Sequence, residues 1–121
     1  MAYVEIQPKS KEIQELLYAN RNEMFSAIGE CILSTFDIPE SDMILELQEC
    51  RTIAFDPLAV SLESAPDVVL KLNTSDVQFQ DVAAVLRDKI VDAWDELFGE
   101  DVAMECWIDF FYEWGCNIDF D

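Results

Sequence analysis

The chain has 121 residues, 51% of them hydrophobic, and its 26 acidic side chains against 7 basic ones give a formal net charge of −19. This length fits one domain with a single core, so residues 1–121 are expected to form one folded domain with the acidic groups on its surface. The charge excludes direct binding to nucleic acid or to an anionic membrane surface, because both need clustered Lys and Arg.

The first half of the chain is predicted to form a strand, a helix and a second strand. Val4 and Ile6 alternate with Tyr3, Glu5 and Gln7, and this pattern stops at Pro8, which is typical of a short strand. Ser10 can cap the amphipathic helix that follows. Its apolar stripe is interrupted at residues 20–22, where we expect a kink or an exposed turn. Residues 43–48 alternate again and predict the second strand.

The second half of the chain is predicted to repeat this order. Residues 50–66 show no clear period and are expected to form an irregular connection, with a short strand at residues 52–55. Residues 68–73 alternate as a third strand. A second amphipathic helix carries its apolar residues between 82 and 97, and Gly99 is a natural terminator for it.

The last twenty residues alternate apolar and polar side chains over most of their length. They predict a fourth strand from Val102, a turn at Trp114-Gly115 and a short closing strand over residues 116–120. A chain that ends in an apolar-faced strand leaves a sheet edge to be covered, commonly by a second copy of the chain. We therefore expect an oligomer.

The predicted class is α+β, with two βαβ units (βαββαβ), two helices on one face of a four-stranded sheet, and a C-terminal hairpin strand. A ferredoxin-like split βαβ fold, closed within one chain, is the alternative. Residues 38–48, followed by Ile53-Ala54-Phe55, resemble the loop, the second strand and the following turn of proteins in the tautomerase superfamily, which includes macrophage migration inhibitory factor. The strand from Asp101-Val102 to the aromatic residues 110–112, with Trp114-Gly115 after it, looks like that family's C-terminal strand and hairpin.

The resemblance implies a homotrimer whose active sites lie between subunits. In that superfamily an amino-terminal proline, exposed when Met1 is removed, moves a proton between the carbon and oxygen of a keto or enol acid. Ala2 occupies the proline position here and is the candidate catalytic residue. Its primary amine has an ordinary pKa of about 8. We therefore predict at most a weak or altered keto-enol isomerase acting on small oxo-acids.

Three basic residues are candidates for binding the substrate carboxylate. Lys9 and Lys11 follow the first strand, where bacterial members of the superfamily place such a residue, and Arg51 follows the second strand. The alternative for the two lysines is that they are solvated charges at the start of a helix. The alternative for Arg51 is a surface ion pair with a carboxylate.

No metal or cofactor is expected. The chain has no histidine, and its four cysteines contain no Cys-x-x-Cys pair, which predicts reduced, mostly buried thiols. Glu105 and Asp109 share a strand face with Trp107 and are expected to face water. Residues 117–121 supply too few oxygen ligands for a calcium or magnesium site.

The acidic composition supports an alternative function of another class. A small folded protein with this charge resembles, in electrostatics only, DNA-mimic inhibitors that bind a basic protein partner. No apolar run approaches 18 residues, and the first residues lack the regions of a signal peptide. The sequence therefore predicts a cytoplasmic protein with no transmembrane segment.

Overall fold

A computed structural model describes residues 1–111, which form an α+β fold with a four-stranded mixed sheet. The strands are β1 (Ala2–Pro8), β2 (Met43–Leu47), β3 (Val68–Thr74) and β4 (Met104–Phe110), and the helices are α1 (Lys11–Ala19), α2 (Arg21–Phe36), α3 (Pro57–Ser61) and α4 (Ala83–Phe98). The predicted turn at Trp114-Gly115 and the closing strand lie outside the described residues. None of the helices in residues 1–111 is long and apolar enough to cross a membrane.

The sheet order is β2-β1-β3-β4. The central pair, β1 and β3, is antiparallel, while β2 is parallel to β1 and β4 is parallel to β3. Within each βαβ unit, the two strands therefore lie side by side: β1 beside β2, and β3 beside β4. A ferredoxin-like split βαβ unit would have another strand inserted between its two strands, so that alternative is wrong.

The core lies between one face of the sheet and the helices. Side chains of β1 and β3 alternate strictly between fully buried and half-buried positions, because helices cover only one face. Helices α2 and α4 pack against each other, and they also contact β2 and β4 respectively. The buried apolar side chains are Ala2, Val4, Ile6, Leu17, Met24, Ile28, Ile32, Phe36, Val68, Leu70, Leu72, Leu86, Ile90, Trp94 and Val102.

The interruption predicted at residues 20–22 is a break between two helices. Ser10 caps α1 as expected, with its hydroxyl accepting from the Ile13 amide at 3.1 Å. At the other end, the Asn20 side-chain amide donates to the Leu16 carbonyl at 2.9 Å, and Arg21 donates to the Tyr18 carbonyl at 2.8 Å. The Leu16 carbonyl also accepts from the Asn20 backbone amide at 3.3 Å, so the Asn20 side chain adds a second donor there. Side-chain donors of this kind serve the carbonyl groups at the end of a helix.

The connection between β2 and β3 corrects one prediction. No strand forms at residues 52–55, where Ile53 is 101% exposed and therefore buries no apolar surface against the sheet. The chain instead forms the short helix α3. The Asp56 carboxylate accepts from the Ala59 amide at 3.0 Å, and Pro57 occupies the first turn. An acidic cap followed by proline is a helix start signal that the sequence carried.

Helix α4 ends at Gly99, as predicted, with a backbone φ of 61°. The fourth strand begins at Met104, two residues later than expected from Val102. The reason is that the residues before it bond elsewhere. The Val102 carbonyl accepts from the buried Trp94 indole at 3.1 Å, and the Ala103 amide donates to the Asp67 carboxylate at 2.9 Å.

Candidate functional site

A polar cavity of about 220 Å³ lies at the carboxyl ends of β1 and β2. Both strands end at the same edge of the sheet because they are parallel. Lys9 follows β1 directly, and its amide donates to the Asp67 carbonyl at 2.9 Å. The residues that line the cavity are Gln7, Pro8, Lys9, Gln48, Glu49, Arg51 and Thr52. The structure thus brings together two of the three predicted binding residues, Lys9 and Arg51.

The segment after β2 is fixed to its neighbours on both sides of Glu49. The Gln48 amide donates to the Ile6 carbonyl at 2.9 Å, which extends the pairing with β1 by one residue. The Cys50 amide donates to the Gln14 side chain on α1 at 2.7 Å. These contacts hold the backbone that carries Arg51 beside the end of β1.

The cavity contains more positive than negative charge. Lys9 and Arg51 form no ion pair with any of residues 1–111, although Glu49 also lines the cavity. Glu46 is not a lining residue, and its pKa lies below the ordinary value because Gln48 and Tyr3 donate hydrogen bonds to it and Arg51 adds a favourable charge. An unpaired lysine and arginine in a small cavity can hold one carboxylate.

Lys11 is separate from this cavity. It is the first residue of α1 and is exposed to solvent. Its place at a capped helix start matches the alternative given for the lysines, and it is not among the cavity's lining residues.

Ala2 lies at the opposite end of β1. Its side chain is fully buried, and its backbone pairs with Met43 and Thr74. The amino terminus is that of Met1, whose amine lies 3.2 Å from the Asp76 carboxylate and 3.4 Å from that of Asp42. This end of the sheet is therefore acidic.

The two ends are too far apart to form one site within a chain. Ala2 and Lys9 are seven residues apart along an extended strand, or about 20 Å at the usual rise per residue. A small acid held by Lys9 therefore cannot reach the Ala2 nitrogen of the same subunit. A site that used both residues would need a second copy of the chain.

The face of the sheet without helices carries polar groups that sequence reasoning did not assign to a site. Tyr3 donates to the Glu46 carboxylate at 2.7 Å, and Gln48 donates to its other oxygen at 2.8 Å. Strand alternation placed Tyr3 and Gln7 on one face. The contact of Tyr3 with Glu46 on β2 depends on the pairing register of the two strands, which the sequence does not encode locally.

Two other predictions concern β4 and the thiols. Glu105, Trp107 and Asp109 are exposed together on β4, as expected. Three cysteines are free but half-buried rather than fully buried. Among them, burial raises the pKa of Cys106 to about 11. Cys116 and residues 117–121 lie outside the described part of the chain.

Solved structures share this fold at low sequence identity. The native protein Ps01740 superposes with a TM-score of 0.66 and 17% identity, over 90% of this chain and 93% of its own. FG41 malonate semialdehyde decarboxylase gives a TM-score of 0.56 with 11% identity, over 98% and 91%. A domain of unknown function, DUF1904, from Sebaldella termitidis gives 0.54 with 15% identity, over 93% and 91%.

No protein-family model matches the chain, and no curated protein matches it in sequence. The structural likeness therefore concerns the fold alone. That fold is described as tautomerase-like because it matches the fold of malonate semialdehyde decarboxylase. The chain is thus similar in fold to malonate semialdehyde decarboxylase at 11% identity.

Proposed function

We propose that the protein is a homotrimeric, tautomerase-like protein that binds a small oxo-acid in the cavity of Lys9 and Arg51. The observation that carries this proposal is that two cations share a 220 Å³ cavity and make no ion pair within residues 1–111. In a chain with 26 acidic residues, two unpaired cations side by side favour an anionic ligand. Lys11 lies outside this cavity and is not part of the proposed binding group.

The proposed chemistry is at most a weak or altered keto-enol isomerisation. The Ala2 nitrogen, freed by removal of Met1, would be the proton-transfer group, and it would have to come from a neighbouring subunit. Its primary amine replaces the ring amine of the superfamily's proline. The acidic neighbours Asp42 and Asp76 would also repel an acid substrate at that end. Both features lower the expected turnover.

The binding step is tested by calorimetric titration with pyruvate and phenylpyruvate. Arg51→Gln or Lys9→Gln should weaken binding about 10-fold or more, because each removes a charge-assisted hydrogen bond. Lys11→Gln is the matched control, since it removes the same charge outside the cavity and should change affinity little. Equal affinities for all four proteins would overturn the proposed site.

The assembly and the chemistry are tested together. Light scattering after size exclusion should give the mass of a trimer. Ala2→Pro should raise turnover of phenylpyruvate above that of the natural chain once mass spectrometry confirms removal of Met1. A monomer that still turned over substrate would contradict a site shared between subunits.

A second candidate function is an acidic interaction protein that engages a basic protein partner. Its supporting observation is that, apart from the two contacts of the Met1 amine, residues 1–111 contain a single ion pair, Arg87 with Asp88. Most carboxylates are thus available to a basic surface. Binding to such a partner should weaken sharply between low and moderate salt. Salt-independent binding would contradict it.

A further inference from the structure

Two glutamines line the same cavity: Gln7 lies on β1, and Gln48 directly follows β2. Gln7 donates from its side-chain nitrogen to Glu5 at 3.2 Å, and Gln48 donates to Glu46 at 2.8 Å. In each case the acceptor is the acidic residue two positions earlier, on the same face of the strand. Both glutamines are lining residues of the cavity that holds Lys9 and Arg51.

These contacts fix which atom each glutamine has available for a ligand. An ionised carboxylate only accepts hydrogen bonds, so each amide must turn its nitrogen toward the glutamate. Tyr3 donates to the second oxygen of Glu46 at 2.7 Å and holds that carboxylate in place. The side-chain carbonyl oxygens of Gln7 and Gln48 accept no hydrogen bond from any of residues 1–111.

We infer that this cavity selects a small monocarboxylic acid that carries a hydroxyl group next to its carboxylate, a hydroxy acid or the enol form of an oxo-acid. Lys9 and Arg51 would hold the carboxylate, and the carbonyl oxygens of Gln7 and Gln48 would accept from the hydroxyl. The keto form offers no donor to these oxygens. Glu49, also in the lining, disfavours a second carboxylate on the ligand.

This inference rests on the anion-binding part of the proposed function and adds the substrate class. If the enol form is the one held, the glutamines act as specificity-determining residues for the isomerisation. They bias the ligand toward its hydroxyl tautomer, and the reaction itself still depends on an amine from elsewhere.

The test compares ligands that differ only beside the carboxylate. The natural chain is titrated with both enantiomers of lactate, with pyruvate and with propionate, at one pH and ionic strength. One lactate enantiomer should bind about 3- to 10-fold more tightly than pyruvate or propionate, which is the range for a single hydrogen bond. Equal binding of all four ligands would overturn the inference and leave the anion site standing. No binding of any ligand would overturn both.

Variants then assign the preference to the glutamines. Gln48→Met and Gln7→Met keep side-chain length but lack the carbonyl, so they should abolish the lactate preference while pyruvate affinity stays within about 2-fold. Gln80→Met, at an exposed position outside the cavity, is the control and should keep it. Persistence of the preference in both cavity variants would overturn the role of the glutamines. The ligand comparison on the natural chain does not depend on how these variants fold.

Discussion

The two ends of β1 differ in charge and in their neighbours. At the amino end, Asp42 and Asp76 flank the terminal amine, and Ala2 is fully buried. At the carboxyl end, Lys9 and Arg51 line an open polar cavity. One strand thus carries an acidic end, where the amine lies, and a cationic end, where an anion would bind.

This difference shows that the candidate catalytic group and the candidate binding groups belong to separate places on one subunit. The strand between them is central in the sheet and buried on one face, so it acts as a rigid spacer. Only a second subunit could bring the acidic end of one chain to the cationic end of another.

The largest expected effect comes from weakening that spacer. Ile6→Ala removes a fully buried side chain from β1 and should lower the free energy of unfolding by about 2–5 kcal/mol. Ile44→Ala, at a side chain 40% exposed, is the control and should cost much less. Urea denaturation measures both. Equal losses would show that β1 is not anchored by its buried face.

The next effect concerns the acidic end. In an Ala2→Pro background, adding Asp42→Asn and Asp76→Asn should raise kcat/KM for phenylpyruvate by on the order of 10-fold, because each removed charge is worth about 1 kcal/mol near 4 Å in water. Steady-state assays at low salt measure it. Asp56→Asn, which caps α3, removes one charge elsewhere and should leave kcat/KM unchanged. A similar gain from that control would point to net charge alone.

A smaller effect lies on the bare face between the two ends. The hydrogen bond to Glu46 and its negative charge raise the pKa of Tyr3 above its ordinary value of 10.0. Glu46→Gln should lower the Tyr3 pKa toward 10.0, as followed by phenolate absorbance. Tyr3→Phe identifies the signal, and an unchanged titration in Glu46→Gln would contradict the contact.

The same pair predicts how stability varies with pH. The folded pKa of Tyr3 lies above its unfolded value, so its contribution is present below pH 10.0 and is lost as pH rises through the folded value. The folded pKa of Glu46 lies below its ordinary 4.5, so its contribution is present above pH 4.5 and is lost as pH falls through the folded value. Tyr3→Phe should remove the alkaline part of this dependence in thermal melts.

The smallest effect is the ion pairing of the Met1 amine. Asp76→Asn should lower the free energy of unfolding by less than about 1 kcal/mol, because partly exposed pairs are weak. Asp88→Asn, in an exposed pair with Arg87, gives the comparison. A loss several times larger for Asp76 would mean that the amine is an anchor of the fold.

The sequence by itself determined the four strands, the long helical segments between them and their order. Strict alternation in β1 and β3 marked their buried faces, and Ser10 and Gly99 marked a helix start and a helix end. These signals are local, because periodicity and capping depend on residues a few positions apart. The start of α3 at Asp56-Pro57 was equally local, although it was not predicted.

Only the tertiary structure decided which elements are neighbours. Strand order excluded the ferredoxin-like alternative, since β1 lies directly beside β2. The parallel pairing of β1 with β2 brings Lys9 and Arg51 to one cavity, while Lys11 lies outside that cavity and Ala2 lies at the opposite end of β1. Such distances depend on backbone pairing between segments some forty residues apart, and a one-residue change of register would turn every side chain of a strand to the other face.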